Sequence, residues 1–349
     1  MRLTTSVYAT TLIAFARPLL AQTPHLDVYF IDTEGGQATL IVTPARESIL
    51  IDSGNPGERD AHRIYDVAVK TAKLHQIDHI IATHWHLDHY GGTGELAKLI
   101  PIKNFYDHGI PDKSIDDLDN FPGLIAAYRT ASKGQSTTLR AGSTITLKQT
   151  KGTGRIGLLT LVGMQTTIPD QLRAKANPYA SEFVPHPKDN SDNANSLGFA
   201  LKFGIWRFLD LGDLTWNIEE KLVDPTDKIG KVDVYLTTHH GLEVSNNPVL
   251  LKTVSPTVAI FNNGPTKGGH PDVTKTLRSI PNIKGIWQLH RNINCPPDMN
   301  TEADKIANID ADCKAEFIKL SVDQNGKFYS VQIGNHGKPV RYMTRSSNK

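Results

Sequence analysis

Apolar and polar positions alternate along the chain in blocks that read as strands separated by helices. Apolar runs at 26–32, 37–43 and 48–52 have the length and content of strands. From about Asp60 to Leu74 the period changes, with Ile64, Val67, Ala68 and Thr71 at helical spacing. A strand is expected at 77–83 and a helix at 93–100, through Leu96, Leu99 and Ile100. Residues 108–140 are loop-rich, with a helical piece around 124–128, and strands are expected at 144–149 and 157–163. Residues 166–196 are polar and rich in Pro, Asn, Asp and Ser, a length that in a compact domain marks a functional or disordered loop. Because this stretch leads into Asn193–Leu197, it is expected to act as a flap over a cleft. The alternation then resumes: strands at 198–204, 206–211, 232–238 and 257–262, helices at 216–223, 247–253 and 271–279, and closing strands.

The chemistry concentrates where one strand stops. His84-Trp85-His86-Leu87-Asp88-His89 follows the apolar run 77–83, and Gly91-Gly92-Thr93-Gly94-Glu95 opens the next helix. Strand end followed by helix start is where α/β sheets place ligands. Imidazole and carboxylate are ligands for zinc and related divalent ions. One short turn cannot aim all four groups at a single ion, so two neighbouring ions are expected. The rival reading is a solvated histidine-rich turn. Other strands end in similar groups: Asp52 in Ser48–Gly54, Asp213 in Phe208-Leu209-Asp210-Leu211-Gly212-Asp213, and His239-His240-Gly241 after Val232–Thr238.

Taken in order, His-x-His-x-Asp-His, Asp-x-Gly, Gly-Asp and the histidine pair resemble the signature of the metallo-β-lactamase superfamily. The resemblance implies an αββα four-layer sandwich with two metals at one sheet edge. It implies that Asp52 orients the metal-binding loop and that His84 and His86 serve a first ion. Asp88 and His89 would serve a second, with Asp213 bridging. One of His239 and His240 would be a ligand and the other a supporting or substrate-facing group; the sequence does not say which, though a ligand directly after the strand would be His239, with His240 then facing the substrate. The first site would take a third histidine before Leu197, where this chain has Asn193. An amide oxygen is a weaker ligand that suits harder ions, so two divalent ions are expected, zinc with manganese as the substitute. His186 could fill the gap, although a solvated loop histidine is the ordinary role.

The resemblance narrows toward the hydrolase domain of ComEC-type DNA-uptake proteins. It rests on Asp27–Asp32 leading to Gln37–Val42, Asn193–Phe199, His239-His240-Gly241, Gly269-His270-Pro271 and Phe317–Gly326. Glu34-Gly35-Gly36-Gln37 departs from the Gly-Gln-Gly-Asp turn usual there, and the multi-helix channel of those proteins is not in this sequence. On this likeness His270 is a second candidate for substrate contact, beside a structural role at a helix start.

Composition changes little. With 349 residues, 39% hydrophobic and a net charge of +2, the chain can bury a large core and has no global attraction for nucleic acid. Residues 25–340 are expected to form one domain. Arg2, the apolar stretch Val7–Ala16 and Leu19-Leu20-Ala21 read as a signal peptide over 1–21, too short to span a membrane, which implies a periplasmic or secreted protein. A disordered tail is the rival. Export would permit a disulfide between Cys295 and Cys313; two inert thiols are the alternative. The sequence does not fix the oligomeric state.

Two ions with a bridging carboxylate supply an activated water and a polarised substrate oxygen, with Asp88 to orient the attack or pass a proton. No Gly-x-Ser-x-Gly elbow offers a rival nucleophile. Three readings follow: a phosphodiester or phosphoester hydrolase, a hydrolase of lactam, lactone or other acyl bonds, and a non-catalytic metal-binding protein.

Overall fold

The computed structural model describes residues 24–170, 175–310 and 313–345; the expected signal peptide lies outside them. The chain opens with β1 (Leu26–Phe30), β2 (Thr39–Val42), β3 (Ser48–Ile51), β4 (Ile77–Ile81), β5 (Ile102–Asp107) and β6 (Thr137–Thr138). There follow β7 (Thr144–Ile145), β8 (Ile156–Gly163), β9 (Thr166–Thr167), β10 (Gly198–Phe203), β11 (Trp206–Asp210), β12 (Val234–Leu236), β13 (Val258–Phe261), β14 (Gly285–His290) and β15 (Ile306–Asn308). Finally β16 (Ile318–Val322), β17 (Phe328–Ile333) and β18 (Val340–Met343) return to the start. Two sheets result, in the orders β18-β17-β16-β1-β2-β3-β4-β5-β6 and β15-β14-β13-β12-β11-β10-β8-β7, with β9 paired to β8.

Residues of β1 to β4 are buried throughout, because these strands are covered on both faces, as near-continuous apolar runs require. Between the sheets lie Val28, Ile49, Ile81, Phe199, Phe208, Leu236, Ile260 and Leu320. Each such fully buried side chain stabilises by about 1.5–3 kcal/mol. Helices cover the outer faces. On the first sheet sit α1 (Glu58–Tyr65), α2 (Leu87–Tyr90), α3 (Thr93–Leu99) and α4 (Phe121–Ala131), seating Ala61, Ile64, Leu96 and Ile125 against Leu40, Leu50 and Ile80. On the second, α5 (Trp216–Glu220), α6 (Pro248–Val254) and α7 (Pro271–Ser279) seat Ile218, Leu250 and Leu277 against Leu209, Tyr235 and Ala259. The layers are therefore α, β, β, α, as expected.

Differences from the sequence reading have local causes. The helix expected through Leu74 is α1 followed by a π-helical segment, Asp66–Thr71, where Ala72 N donates to Val67 O. β5 exposes Lys103 and Asn104, so it lacks the apolar run that marks its neighbours. Within the long polar stretch, residues 175–192 form a pinned strap. Asn177 donates to Val223 O at 2.9 Å, and Asn217 bonds the backbone of His186 at 3.0 and 2.7 Å.

β3 and β4 are parallel neighbours in one sheet, as are β11 and β12 in the other. Their C-terminal ends carry Asp52, His84–His89, Asp213 and His239-His240 to one edge of the sandwich. This places the chemistry.

Candidate metal centre

Three strand-end turns and one short helix supply the side chains. After β4 the chain delivers His84 and then enters α2, whose first turn holds Asp88 and His89. After β11, Gly212 at φ +55 turns the backbone and places Asp213. After β12, His239 and His240 both take left-handed backbone angles, φ 54 and 56, costing about 1–2 kcal/mol per residue. A buried network holds them there. Tyr235 Oη donates to Asn246 Oδ1 at 2.8 Å, and Asn246 Nδ2 donates to Thr238 O at 2.9 Å. The buried Glu219 carboxylate accepts from Asn246 N and Asn247 N at 3.0 and 2.7 Å.

Two groups of donors form. His84, His89 and Asp213 make one; Asp88, His89 and His240 make the other. Around Asp213 Oδ2 stand His89 Nε2 at 3.2 Å, His240 Nε2 at 3.3 Å, His239 Nε2 at 3.5 Å and His84 Nε2 at 4.0 Å. Asp88 Oδ2 lies 3.4 Å from His240 Nε2 and 3.6 Å from His89 Nε2.

The far sides of the rings are held by neighbouring polar groups. His89 Nδ1 meets Asp52 Oδ2 at 2.7 Å, and Asp52 also accepts from Thr83 N at 2.8 Å and Thr83 Oγ1 at 2.7 Å. His86 Nε2 meets Asp116 Oδ2 at 2.8 Å. Asp192 ties the loops together, accepting from Trp85 N at 2.7 Å and lying 3.1 Å from His108 Nε2. Fixing one ring nitrogen by a carboxylate sets which nitrogen is free to bind.

The free atoms converge. Among the described residues, His84 Nε2, His89 Nε2, His240 Nε2, Asp213 Oδ1 and Asn193 Oδ1 are buried without a hydrogen-bond partner. Leaving a buried polar group unsatisfied costs about 1–3 kcal/mol, and three imidazole Nε2 atoms, of His84, His89 and His240, within 4.0 Å of the Asp213 carboxylate form a pattern divalent ions satisfy. Because one nitrogen of His89 cannot serve two ions, Asp88, His89, His240 and Asp213 could hold one. His84, Asp213, Asn193 and His86 could hold the other, with His86's ring centroid 4.7 Å from that of His84. The residues present fit such a pair.

Electrostatics agree with this arrangement. Burial, with His89 and His86 beside it, pushes His84 well down, so its imidazole is neutral and its lone pair available. Burial also opposes ionisation of Asp88 and Asp213, but His89, His240 and Lys267 hold Asp88 well below the carboxylate range, and His240, His89 and His239 do so for Asp213. His89 is pushed well up: burial lowers it, but Asp213, Asp88 and Asp52 outweigh that. His239 is pushed down to about 4, chiefly by burial.

Other candidates fall elsewhere. His240, expected to face the substrate, joins the Asp88–His89 group, whereas His239 touches Asp213 and the Asn193 amide, 3.4 Å from its Nδ2. Both residues take left-handed backbone angles, and both bring Nε2 within 3.5 Å of Asp213 Oδ2. His270 lies off the cluster among the described contacts: its Nδ1 caps α7, accepting from Asp272 N at 3.3 Å, and its Nε2 is 3.9 Å from Glu243. His186 fills no gap and is stacked on Trp216 with centroids 3.9 Å apart. Cys295 and Cys313 are both free thiols. Sequence reasoning passed over Asp116, Asp192 and Lys267. Asp192 adjoins Asn193 and could have been noticed; Asp116 sits in a loop with no pattern to reveal it.

The comparisons follow from this geometry. Residues 31–163 match the family model described as the Metallo-beta-lactamase superfamily. That stretch includes Asp52 and His84 to His89; Asp213, His239 and His240 lie beyond it. A curated relative, the atrochrysone carboxyl ACP thioesterase of Passalora fulva, is 33% identical over 66 residues, 19% of this chain and 19% of that protein. The chain thus matches about a fifth of that relative's length. Among solved structures, CmlA, a diiron β-hydroxylase from Streptomyces venezuelae, is 13% identical at a TM-score of 0.44, covering 76% of this chain and 53% of that one. A metallo-β-lactamase from Cronobacter sakazakii is 15% identical at a TM-score of 0.33, covering 60% and 69%. Residues 31–163, which hold Asp52 and the His-x-His-x-Asp-His turn, are thus similar to the metallo-beta-lactamase superfamily.

Proposed function

We propose that the protein is a metal-dependent hydrolase of phosphodiester or phosphoester bonds. The observation that carries this is the convergence of the buried Nε2 atoms of His84, His89 and His240, brought from both sheets, to within 4.0 Å of Asp213 Oδ2. Ions held there would supply an activated water and a polarised substrate oxygen. The chain's own groups do the rest. Asp213 spaces the two donor groups. Asp52 and Asp116 fix the rings of His89 and His86. Asp88, with its side chain 14% exposed while His84, His89 and His240 are at 0%, is the carboxylate that reaches the cleft. It accepts the proton of the attacking water and returns it to the leaving oxygen as the ester bond breaks.

Phosphoryl oxygen is favoured because the Asp88 and Asp213 carboxylates and the Asn193 amide add oxygen donors, which suit harder ions, to the imidazoles. The ComEC-like motifs around Asn193, His240 and His270 point the same way. Hydrolysis of an acyl bond is the second reading, favoured by the match to a thioesterase over 66 residues. Export rests on the N-terminal sequence alone, and residues 25–340 are taken as one domain. Among the described residues no helix is long and apolar enough to cross a membrane.

Metal-reconstituted protein should cleave bis(p-nitrophenyl) phosphate faster than nitrocefin, a homoserine lactone or a thioester. The reverse order would favour the acyl reading, and metal uptake without turnover of any of them would favour a binding protein. Asp213→Ala should abolish turnover and remove one metal equivalent; retained turnover would overturn the site.

A further inference from the structure

We propose that Lys267 is the residue that selects substrate at this centre, by binding an oxyanion of the group being cleaved; this rests on the metal-dependent reading above. Lys267 Nζ pairs with Asp88 Oδ2, and its side chain is 41% exposed. Among the described residues, no other lysine or arginine pairs with a carboxylate of the two donor groups. His84, His89 and His240 lie fully buried beneath, so Lys267 stands at the open side, where substrate must arrive.

Its placement is built rather than incidental. Gly268 and Gly269 follow it at φ +76 and +63, angles that glycine adopts without strain. A Cβ on Gly268 would stand 2.2 Å from His240 O, so the lysine loop lies directly on the backbone of a donor histidine. Gly269 N donates to His240 O and His270 N to Gly241 O, each at 2.9 Å. From the other side, Asn292 Nδ2 donates to Gly268 O at 2.7 Å. Four hydrogen-bonding or steric constraints therefore fix the stem of one flexible side chain.

Asp88 is a provisional partner for that ammonium. When Asp88 donates to a divalent ion, two positive charges face each other across one carboxylate, and repulsion favours a second anion between them. A substrate oxyanion meets this need. It also gives the cleft a charge requirement that the ions alone would impose less sharply, since an ammonium is a compact point charge suited to phosphate.

The test uses zinc- or manganese-loaded full-length protein, with inorganic phosphate and acetate as probes and binding followed by calorimetry. Phosphate should bind wild type and K267R within about threefold of each other and K267Q at least tenfold more weakly, with metal content unchanged in all three. A matching loss for acetate extends the selection to carboxylates; a loss for phosphate alone confines it to phosphoryl groups. Unchanged affinity for both probes in fully loaded K267Q overturns the inference. So does loss of metal from K267Q, since Lys267 would then be supporting Asp88 instead of recognising substrate. Failure of wild type to take up metal overturns the metal-dependent reading and this inference with it.

Discussion

Asp52→Asn isolates how much a buried carboxylate contributes by orienting a donor ring. Asp52 is 1% exposed and sits at φ 62, an angle that asparagine tolerates nearly as well as aspartate. The substitution keeps shape and backbone preference and changes only charge and polarity. One oxygen can still accept from Thr83 N, now 2.8 Å from Oδ1. The other becomes an NH2 group facing Thr83 Oγ1 and His89 Nδ1, each 2.7 Å from the present Oδ2. An NH2 donor there forces the His89 proton onto Nε2, the atom aimed at Asp213 and Asp88. Loss of such an orienting carboxylate lowers metal affinity about 10–100-fold, or about 1.4–2.7 kcal/mol. Competition for zinc with a chromophoric chelator measures this directly. Asp52→Ala should cost more, because alanine adds about 1–2 kcal/mol of strain at a left-handed position; denaturant unfolding in excess chelator separates that part. If Asp52→Asn binds zinc within threefold of wild type, Asp52 does not set the His89 tautomer.

Three further outcomes are expected. His240→Asn, which suits the left-handed backbone, should lose about one metal equivalent, whereas His239→Asn should keep both, read by elemental analysis after gel filtration. Gly268→Ala should destabilise by about 1–3 kcal/mol through strain and the clash with His240 O; Gly57→Ala, at φ 95 with nothing within 4 Å of its Cβ, isolates the strain alone, both read by thermal unfolding. Glu219 is pushed up to about 7 by burial, from an ordinary value of 4.5. The fold therefore holds its proton more tightly than the unfolded chain, so this stability is full below pH 4.5 and is lost as pH rises through 7, on the order of 3 kcal/mol. Glu219→Gln should flatten that part of the pH profile measured in chelator; an unchanged slope would place its origin elsewhere.

Much of the fold was legible because its signals are local. The apolar runs of β1 to β4 reflect strands covered on both faces, and α7 announces itself by Pro271 and helical spacing. β5 was less legible, since Lys103 and Asn104 interrupt its pattern at an exposed surface. The strap from 175 to 192 read only as part of a long loop, expected to act as a flap, because its anchors, Asn177 and the His186–Asn217 pair, act through contacts distant in sequence.

The site divides the same way. The sequence alone determined the types and order of the donors: His84, His86, Asp88 and His89 in one turn, Asp213 at a strand end, and His239-His240 at another. Donor chemistry belongs to the side chain, and strand ends are marked by local patterning. Only the tertiary structure decided that His240 joins Asp88 and His89, that His270 caps a helix, and that Lys267 reaches Asp88 from 179 residues away. These outcomes depend on backbone angles of single residues and on how two sheets stack, and neither is written in spacing. Distances of a few ångströms between chain-distant groups are set by packing, so the reach of each side chain emerges only when both sheets are in place.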